Sequence, residues 1–379
     1  MDWKVYLSDI DLSRKEIQAV TKVLKSRWLS MGEVTQKFEN DFAKFLGVKY
    51  AFAVASGTAA LHLALRALDL KARDEILLPS LTFVASANAI VYNQAKPVFV
   101  DITSRDNLNI SVEDLIRKIT DRTKAILVVH YAGYPADMLR INQIAERYNL
   151  AVIEDSAHAI GAEINRKKMG TWGSIGCFSF FSNKNLVTGE GGMIVTDSDE
   201  LARKLKLLRS HGMTTLTWER HKGQAHCYDV VELGYNYRMT EIESALGIEQ
   251  LKKLKKNNTK REKLTKLYIK HLSSVSKLKI PFLNYPHRSS FHIFPILLNE
   301  NVDRDWFLDE MKKRKIQTSV HYKPVHKFSY YQKNFPEVRG ISLPHTEYVG
   351  GQEVTLPLHP LMSEKDVMYV CNSVKEILK

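Results

Sequence analysis

The sequence predicts an α/β protein: a large domain built on a mostly parallel sheet, followed by a smaller α+β domain. Three observations predict it. From residue 51 onward, short aliphatic and β-branched runs alternate with amphipathic helical patterns. The runs are continuously apolar, as strands buried on both faces must be. After about residue 250 the alternation gives way to a basic helical region, one strand-like run and two further helices. At 379 residues the chain is also long for a single core. A large domain over 1–250 and a small one over 251–379 are expected, with no low-complexity linker between them.

Taken in order, "AFAVAS" (51–56) precedes the helix-like "TAALHLALRAL", and "EILLPS" (75–80) precedes "TFVASANAIVY". "PVFVDI" (97–102), "AILVVHY" (125–131), the helical "ADMLRINQIAERY" (136–148), "AVIEDS" (151–156), "CFSFF" (177–181) and "GMIVTD" (192–197) follow. In such sheets ligands sit beyond the carboxyl ends of the strands. That rule picks out Ser56, Ser80, His130, Asp155 and the residues after Phe181. In the second part, Leu251, Leu254, Leu264 and Leu267 recur at helical spacing with lysines on the other faces. "SFHIFPILL" (290–298) reads as a strand, and residues 303–314 and 363–379 as helices.

Apolar content of 44% and charged content of 26% describe a soluble globular chain. No apolar run approaches the ~20 residues of a membrane helix. The start, "MDWKVYLSDIDLSRKE", carries early acidic residues and no apolar core of a signal peptide. Three scattered cysteines argue against a disulfide framework or a zinc site, and for a cytoplasmic location. The net charge of +13 has its densest source in residues 251–270, where a solvated helix face explains it. No nucleic-acid-binding motif accompanies that charge, whereas anionic small molecules are steered toward a basic protein.

Three stretches carry chemistry. Ser56-Gly57-Thr58 stands between a strand and a helix, where free N–H groups and the helix dipole favour a phosphate. Alone, it is read first as an ordinary N-cap. Asp155 closes an apolar strand and is expected to be partly buried, so it needs a cation or several hydrogen bonds. Either a structural Arg or Lys or a protonated ligand ring nitrogen meets that need, and His158 follows three residues on. In "SFFSNKNLVTGEGGMIV" (179–195), Lys184 lies between a buried strand and a Gly-rich turn. A lysine held there is open to desolvation, which lowers its pKa and makes it a nucleophile.

These stretches, with "PSLTFVASANAI", "LGYNYRMTEIESALG" and "HYKPVH", resemble the DegT/DnrJ/EryC1/StrS family of pyridoxal-phosphate (PLP) sugar aminotransferases. The resemblance implies an aspartate-aminotransferase-like fold (PLP fold type I) with a seven-stranded sheet in the large domain. It implies that Lys184 holds PLP as an internal aldimine and that Asp155 sits on the pyridine nitrogen. His158 is implied near the phenolic oxygen, Phe83 stacked on the ring, and Ser56, Gly57, Thr58 and Ser179 on the phosphate. Asn236 is implied to reach the phosphate across a homodimer with a shared active site. His321, Tyr322 and His326 are implied near the sugar pocket.

The implied reaction takes an amino group from L-glutamate, by way of pyridoxamine phosphate, to a ketone on a nucleotide-linked sugar. The pattern "EDSAHA" suggests a 4-keto-6-deoxy sugar, with a 3-keto sugar or keto-cyclitol as the alternative. A dehydratase branch of the family has histidine in place of the lysine, which Lys184 disfavours. An aminotransferase for amino or keto acids needs a carboxylate-clamping basic residue that no motif assigns, and a non-catalytic PLP-binding regulator needs no proton-transferring lysine. Trp218, Arg220 and His221, in the loop 211–226, are weighed evenly between surface loop and contact with a sugar or diphosphate.

Overall fold

The computed structural model describes residues 2–215, 218, 223 and 227–379. Its centre is a seven-stranded sheet of β1 (Tyr50–Val54), β2 (Glu75–Pro79), β3 (Lys96–Val100), β4 (Thr123–Val129), β5 (Ala151–Asp155), β8 (Ile175–Ser179) and β9 (Gly192–Thr196). A two-stranded ribbon, β6 (Glu163–Ile164) and β7 (Lys167–Lys168), lies outside it. The order is β1-β9-β8-β5-β4-β2-β3. Pairs β3–β2, β2–β4, β4–β5 and β5–β8 are parallel. β9 alone runs against its neighbours β8 and β1. The mostly parallel sheet expected from the apolar runs is therefore present, with one reversed strand near the edge.

Two helices precede the sheet, α1 (Arg14–Ser26) and α2 (Glu33–Leu46), and both pack on a 32-residue helix, Glu241–Leu272. Ser13 and Glu16 form a capping box at the start of α1, and Thr240 and Glu243 do so for the long helix. The composition of the strands explains the layering of the sheet. Ile76, Leu77 and Leu78 in β2, and Ile126, Leu127 and Val128 in β4, are wholly buried. Each such side chain contributes about 1.5–3 kcal/mol when removed from water. One face is covered by α3 (Gly57–Arg66) and α4 (Val84–Tyr92), whose Leu63, Ala64, Ala87 and Ile90 join the core with Leu78 and Leu127. The other is covered by α5 (Val112–Lys118) and α6 (Met138–Tyr148), through Leu115, Met138 and Ile141 against Leu77 and Val128.

Leu254 and Leu264 of the long helix are buried and Leu251 and Leu267 pack beside them, matching the spacing in the sequence. The helix runs unbroken through residue 250. Beyond it lies a three-stranded antiparallel sheet of β10 (Leu278–Lys279), β11 (Phe294–Leu298) and β12 (Glu353–Leu356). Its own core joins Phe294, Ile296, Val354 and Leu356 to Val370 and Val374 of the last helix, Glu364–Ile377. Val5 belongs to this second core and bridges to Ile316, so residues near the chain's start pack on its later part. Among the described residues no helix is long and apolar enough to cross a membrane.

Candidate active site

β1 and β8 run in the same direction because each is antiparallel to the β9 between them. The carboxyl ends of β1, β8, β5 and β4 therefore share one edge of the sheet. There a cavity of about 380 Å³ is lined by Ser56, Gly57, Thr58, Phe83, Asp155, His158, Ser179, Lys184, His321 and Tyr322, among others. Ten of the sequence-selected residues thus meet at one place.

Ser56 is the N-cap of α3 and accepts from the Ala59 N–H at 3.1 Å. The cap reading is correct, and it leaves the first-turn N–H groups of Gly57 and Thr58 at the cavity wall. Gly57 is required: a Cβ there would fall 2.7 Å from Ser179 Cβ. The segments leaving β1 and β8 thus close on each other through a position that only glycine fits.

Asp155 ends β5 and is buried. Ser86 Oγ of α4 donates to its Oδ2 at 2.8 Å, and the Ala157 N–H donates to its Oδ1 at 3.2 Å. Among the described residues, no Lys or Arg forms the structural ion pair that was the alternative. Burial pushes the Asp155 carboxyl up, while those two donors and the more distant charge of Lys184 pull the other way. A buried carboxylate left without a cation, aimed into a cavity, is a socket for a cationic group.

Lys184 is half-buried. β8 ends at Ser179, two residues before the strand end expected from the sequence, and a tight turn carries the lysine. The Lys184 N–H donates to the Phe181 carbonyl at 2.9 Å. Gly189 and Gly191 take φ of 90° and 145°, so the Gly-rich turn uses backbone that other residues rarely adopt. Asn185 ties the next residue down: its Nδ2 donates to Asn258 Oδ1 at 2.9 Å and to the Ser290 carbonyl at 2.8 Å. Desolvation lowers the Lys184 pKa to about 8, against the opposing pull of Asp155.

His158 is buried, and its Nε2 lies 3.0 Å from the Tyr322 hydroxyl. Its Nδ1 has no hydrogen-bond partner among the described residues, and its ring lies 4.3 Å from that of His292. Burial, with Lys184 nearby, pushes the His158 pKa well below its ordinary value. Phe83 is 56% exposed at the cavity mouth, its ring 5.9 Å from that of Tyr322. An exposed aromatic there has a face to offer a ligand.

Other expected residues lie elsewhere. His326 is wholly buried outside the cavity, between Ser80 Oγ at 2.6 Å and Glu347 Oε1 at 3.2 Å. Its placement near a sugar pocket is not borne out by this chain, because both ring nitrogens hold the fold together. Ser80 is spent on the same contact. His130 pairs with Glu154 at 3.0 Å, a buried carboxylate that also accepts from the Gly170, Trp172 and Gly173 N–H groups. Asn236 is exposed and does not line the cavity of its own chain. Trp218 packs on Trp28 at 4.6 Å and lines a separate groove. Arg220 and His221 lie outside the described residues.

Sequence reasoning missed Ser86, Asn183 and Glu190. The second and third line the cavity on either side of Lys184, and proximity in the chain was their one available signal. Ser86 carries no such signal, since the helix it sits on meets β5 only in the fold.

Comparison with known proteins decides the family. The DegT/DnrJ/EryC1/StrS aminotransferase family model matches residues 11–375. The chain belongs to this family. It is 39% identical over 373 residues to the spore coat polysaccharide biosynthesis protein SpsC of Bacillus subtilis, covering 97% of this chain and 95% of SpsC. Among solved structures it is similar to Helicobacter pylori PseC, an aminotransferase of pseudoaminic acid biosynthesis, with a TM-score of 0.93 and 32% identity over 99% of each chain. DesV of S. venezuelae gives 0.89 and 31%, over 97% of this chain and 95% of DesV. The aspartate-aminotransferase-like fold and the sugar-aminotransferase class expected from the six motifs thus hold. The cavity fits PLP on its own evidence: an uncompensated carboxylate for a ring nitrogen, a glycine-built helix start for a phosphate, and a low-pKa lysine.

Proposed function

We propose that this family member moves an amino group from an amino acid, L-glutamate, to a keto group of a nucleotide-linked sugar, a 4-keto-6-deoxy sugar by the "EDSAHA" pattern. The observation that carries the reading is Asp155: a buried carboxylate without a cationic partner among the described residues, facing the same cavity as a lysine with a pKa of about 8. When bound, PLP supplies an electron sink for the charge that develops on the carbon losing its proton.

The chain's residues do the rest. Lys184 would hold the cofactor covalently through its amine, and as a free amine it would move a proton at the substrate carbon. Its lowered pKa leaves a useful share of amine neutral at a pH of about 8. Asp155 keeps the ring nitrogen cationic, and Ser86 keeps Asp155 in place. The Gly57 and Thr58 N–H groups and the Ser179 hydroxyl receive the phosphate. Phe83 would stack on the ring, His158 would lie near its phenolic oxygen, and Tyr322 would face the sugar. His321 contacts the substrate.

The same reading makes the active form a homodimer in which Asn236 of the partner subunit completes the phosphate site. Support comes from its neighbours: Val230, Val231 and Leu233 are 55%, 55% and 74% exposed, an apolar stretch suited to a second copy.

The test is spectral. Adding L-glutamate to PLP-loaded enzyme should shift the bound cofactor's absorbance, and Lys184→Ala should abolish turnover. A spectrum unmoved by every amino donor, or full activity in Lys184→Ala, would defeat the proposal.

A further inference from the structure

His321 is the end of a buried hydrogen-bond chain that takes no part in the cofactor's cradle. Its backbone N–H donates to Glu353 Oε2 at 2.6 Å. The Thr355 hydroxyl donates to Glu353 Oε1, and Thr355 Oγ1 lies 2.8 Å from His321 Nδ1. Ser319 and Thr355 exchange backbone hydrogen bonds of 3.3 and 2.8 Å, which hold β12 against the segment carrying His321. Glu353 and Thr355 are wholly buried.

The direction of this chain fixes the imidazole. With Glu353 in its carboxylate form, Thr355 gives its one hydroxyl proton to Glu353, so toward His321 it can only accept. Nδ1 must then carry the proton, and in a neutral ring Nε2 keeps its lone pair. Burial, with Lys184 close by, pushes the His321 pKa down to about 4, so the ring is neutral at working pH. Nε2 has no protein hydrogen bond among the described residues, and the ring lines the cavity.

We propose that Glu353 and Thr355 are positioning residues that hold His321 in its Nδ1–H tautomer, so that Nε2 accepts a hydrogen bond from a substrate O–H or N–H. The proposal rests on the sugar-aminotransferase reading, in which the hydroxyl groups of the acceptor sugar are the donors.

The charge on Glu353 sets the sense of the chain. Burial pushes its carboxyl up to about 8, against its two donors and the attraction of Arg304. A proton gained at Oε1 would pass along the chain the other way and leave the ring proton on Nε2. The acceptor form therefore belongs to the carboxylate, above about pH 8. The other titratable or charged groups facing the chain are Tyr131, whose hydroxyl donates to the His321 carbonyl, Tyr322, Lys184, His158 and His292. Glu353→Gln makes the reversal permanent. The His321 N–H claims the amide oxygen, the amide N–H₂ turns to Thr355, and the Thr355 proton goes to Nδ1.

The test is 15N NMR of ring-labelled histidine in PLP-loaded enzyme at pH 9, with His321 assigned from the signal lost in His321→Gln. The wild type should show Nδ1–H and bare Nε2; Glu353→Gln should show the reverse; Thr355→Val should lose the single tautomer, and Thr355→Ser should keep it. In steady state, KM for the keto sugar should rise about tenfold in Glu353→Gln and Thr355→Val, the worth of one hydrogen bond, with kcat less affected. Thr355→Ser should restore it. A wild-type ring protonated at Nε2, or an unchanged tautomer in Glu353→Gln, would overturn the proposal. So would the expected tautomers with no change in KM. If no keto sugar turns over while the tautomers behave as stated, the sugar reading has failed and the hydrogen-bond chain has not.

Discussion

Raising the pH over apoenzyme from 7 to 9 should speed the capture of PLP, with a midpoint near 8. The amine of Lys184 reacts only when neutral, and burial lowers its pKa to about 8 from an ordinary value of 10.5. At pH 7 those two values give neutral fractions of roughly 9% and roughly 0.03%, a difference of about 300-fold in reactive amine. The sign is that of a depressed base: the reactive form is scarce below about 8 and complete above about 9. Asp155 pulls in the opposite direction, since its charge favours the ammonium form. Asp155→Asn should therefore move the midpoint lower while weakening the hold on the ring. The assay is stopped-flow absorbance of PLP mixed with apoenzyme across this range, with Lys184→Ala as the blank. A midpoint at 10 or above would mean that Lys184 is an ordinary solvated lysine. A midpoint unmoved by Asp155→Asn would mean that the two groups do not act on each other.

Other outcomes rest on single contacts. Gly57→Ala should cut PLP affinity at least tenfold, because the new Cβ would lie 2.7 Å from Ser179 Cβ and force the phosphate site open. Affinity measured by cofactor titration and found unchanged would remove Gly57 and Ser179 from that site. Glu154→Gln should cost about 3 kcal/mol, because a buried carboxylate with four donors becomes an amide that accepts on one side only. Thermal unfolding should show a loss of several degrees; an unchanged Tm would contradict the assignment of Glu154 to the fold. Asp155→Asn should fold normally and lower turnover by orders of magnitude, whereas a wild-type rate would mean that another group keeps the ring nitrogen charged.

Much of this site was legible in the sequence because its parts sit at strand ends. Asp155 closes β5 and Ser56 follows β1, so the alternation of strands and helices alone placed those two on one edge, whereas Ser179, read inside a strand ending at 181, entered through the family resemblance. Lys184 was legible from its flanks, an apolar strand before it and a Gly-rich turn after it. Contacts made between distant segments were not legible. Ser86 reaches Asp155 from a different helix, and Thr355 reaches His321 across a sheet pairing 34 residues away. His326 shows the converse. It shares the "HYKPVH" motif with His321, yet five residues suffice to turn it inward onto Ser80 and Glu347. The reversed strand β9 was also hidden, because a buried apolar run reads alike in either direction.

In the proposed reaction the lysine, the carboxylate and the phosphate cradle serve amino transfer to a sugar. The most direct measurement supplies PLP-loaded enzyme with 15N-labelled L-glutamate and a panel of nucleotide-linked keto sugars, and reads the products by mass spectrometry. The label should appear on a sugar carbon that had carried the keto oxygen, and should fail to appear with Lys184→Ala. Label that reaches only 2-keto acids, whatever sugar is offered, would contradict transfer to a sugar.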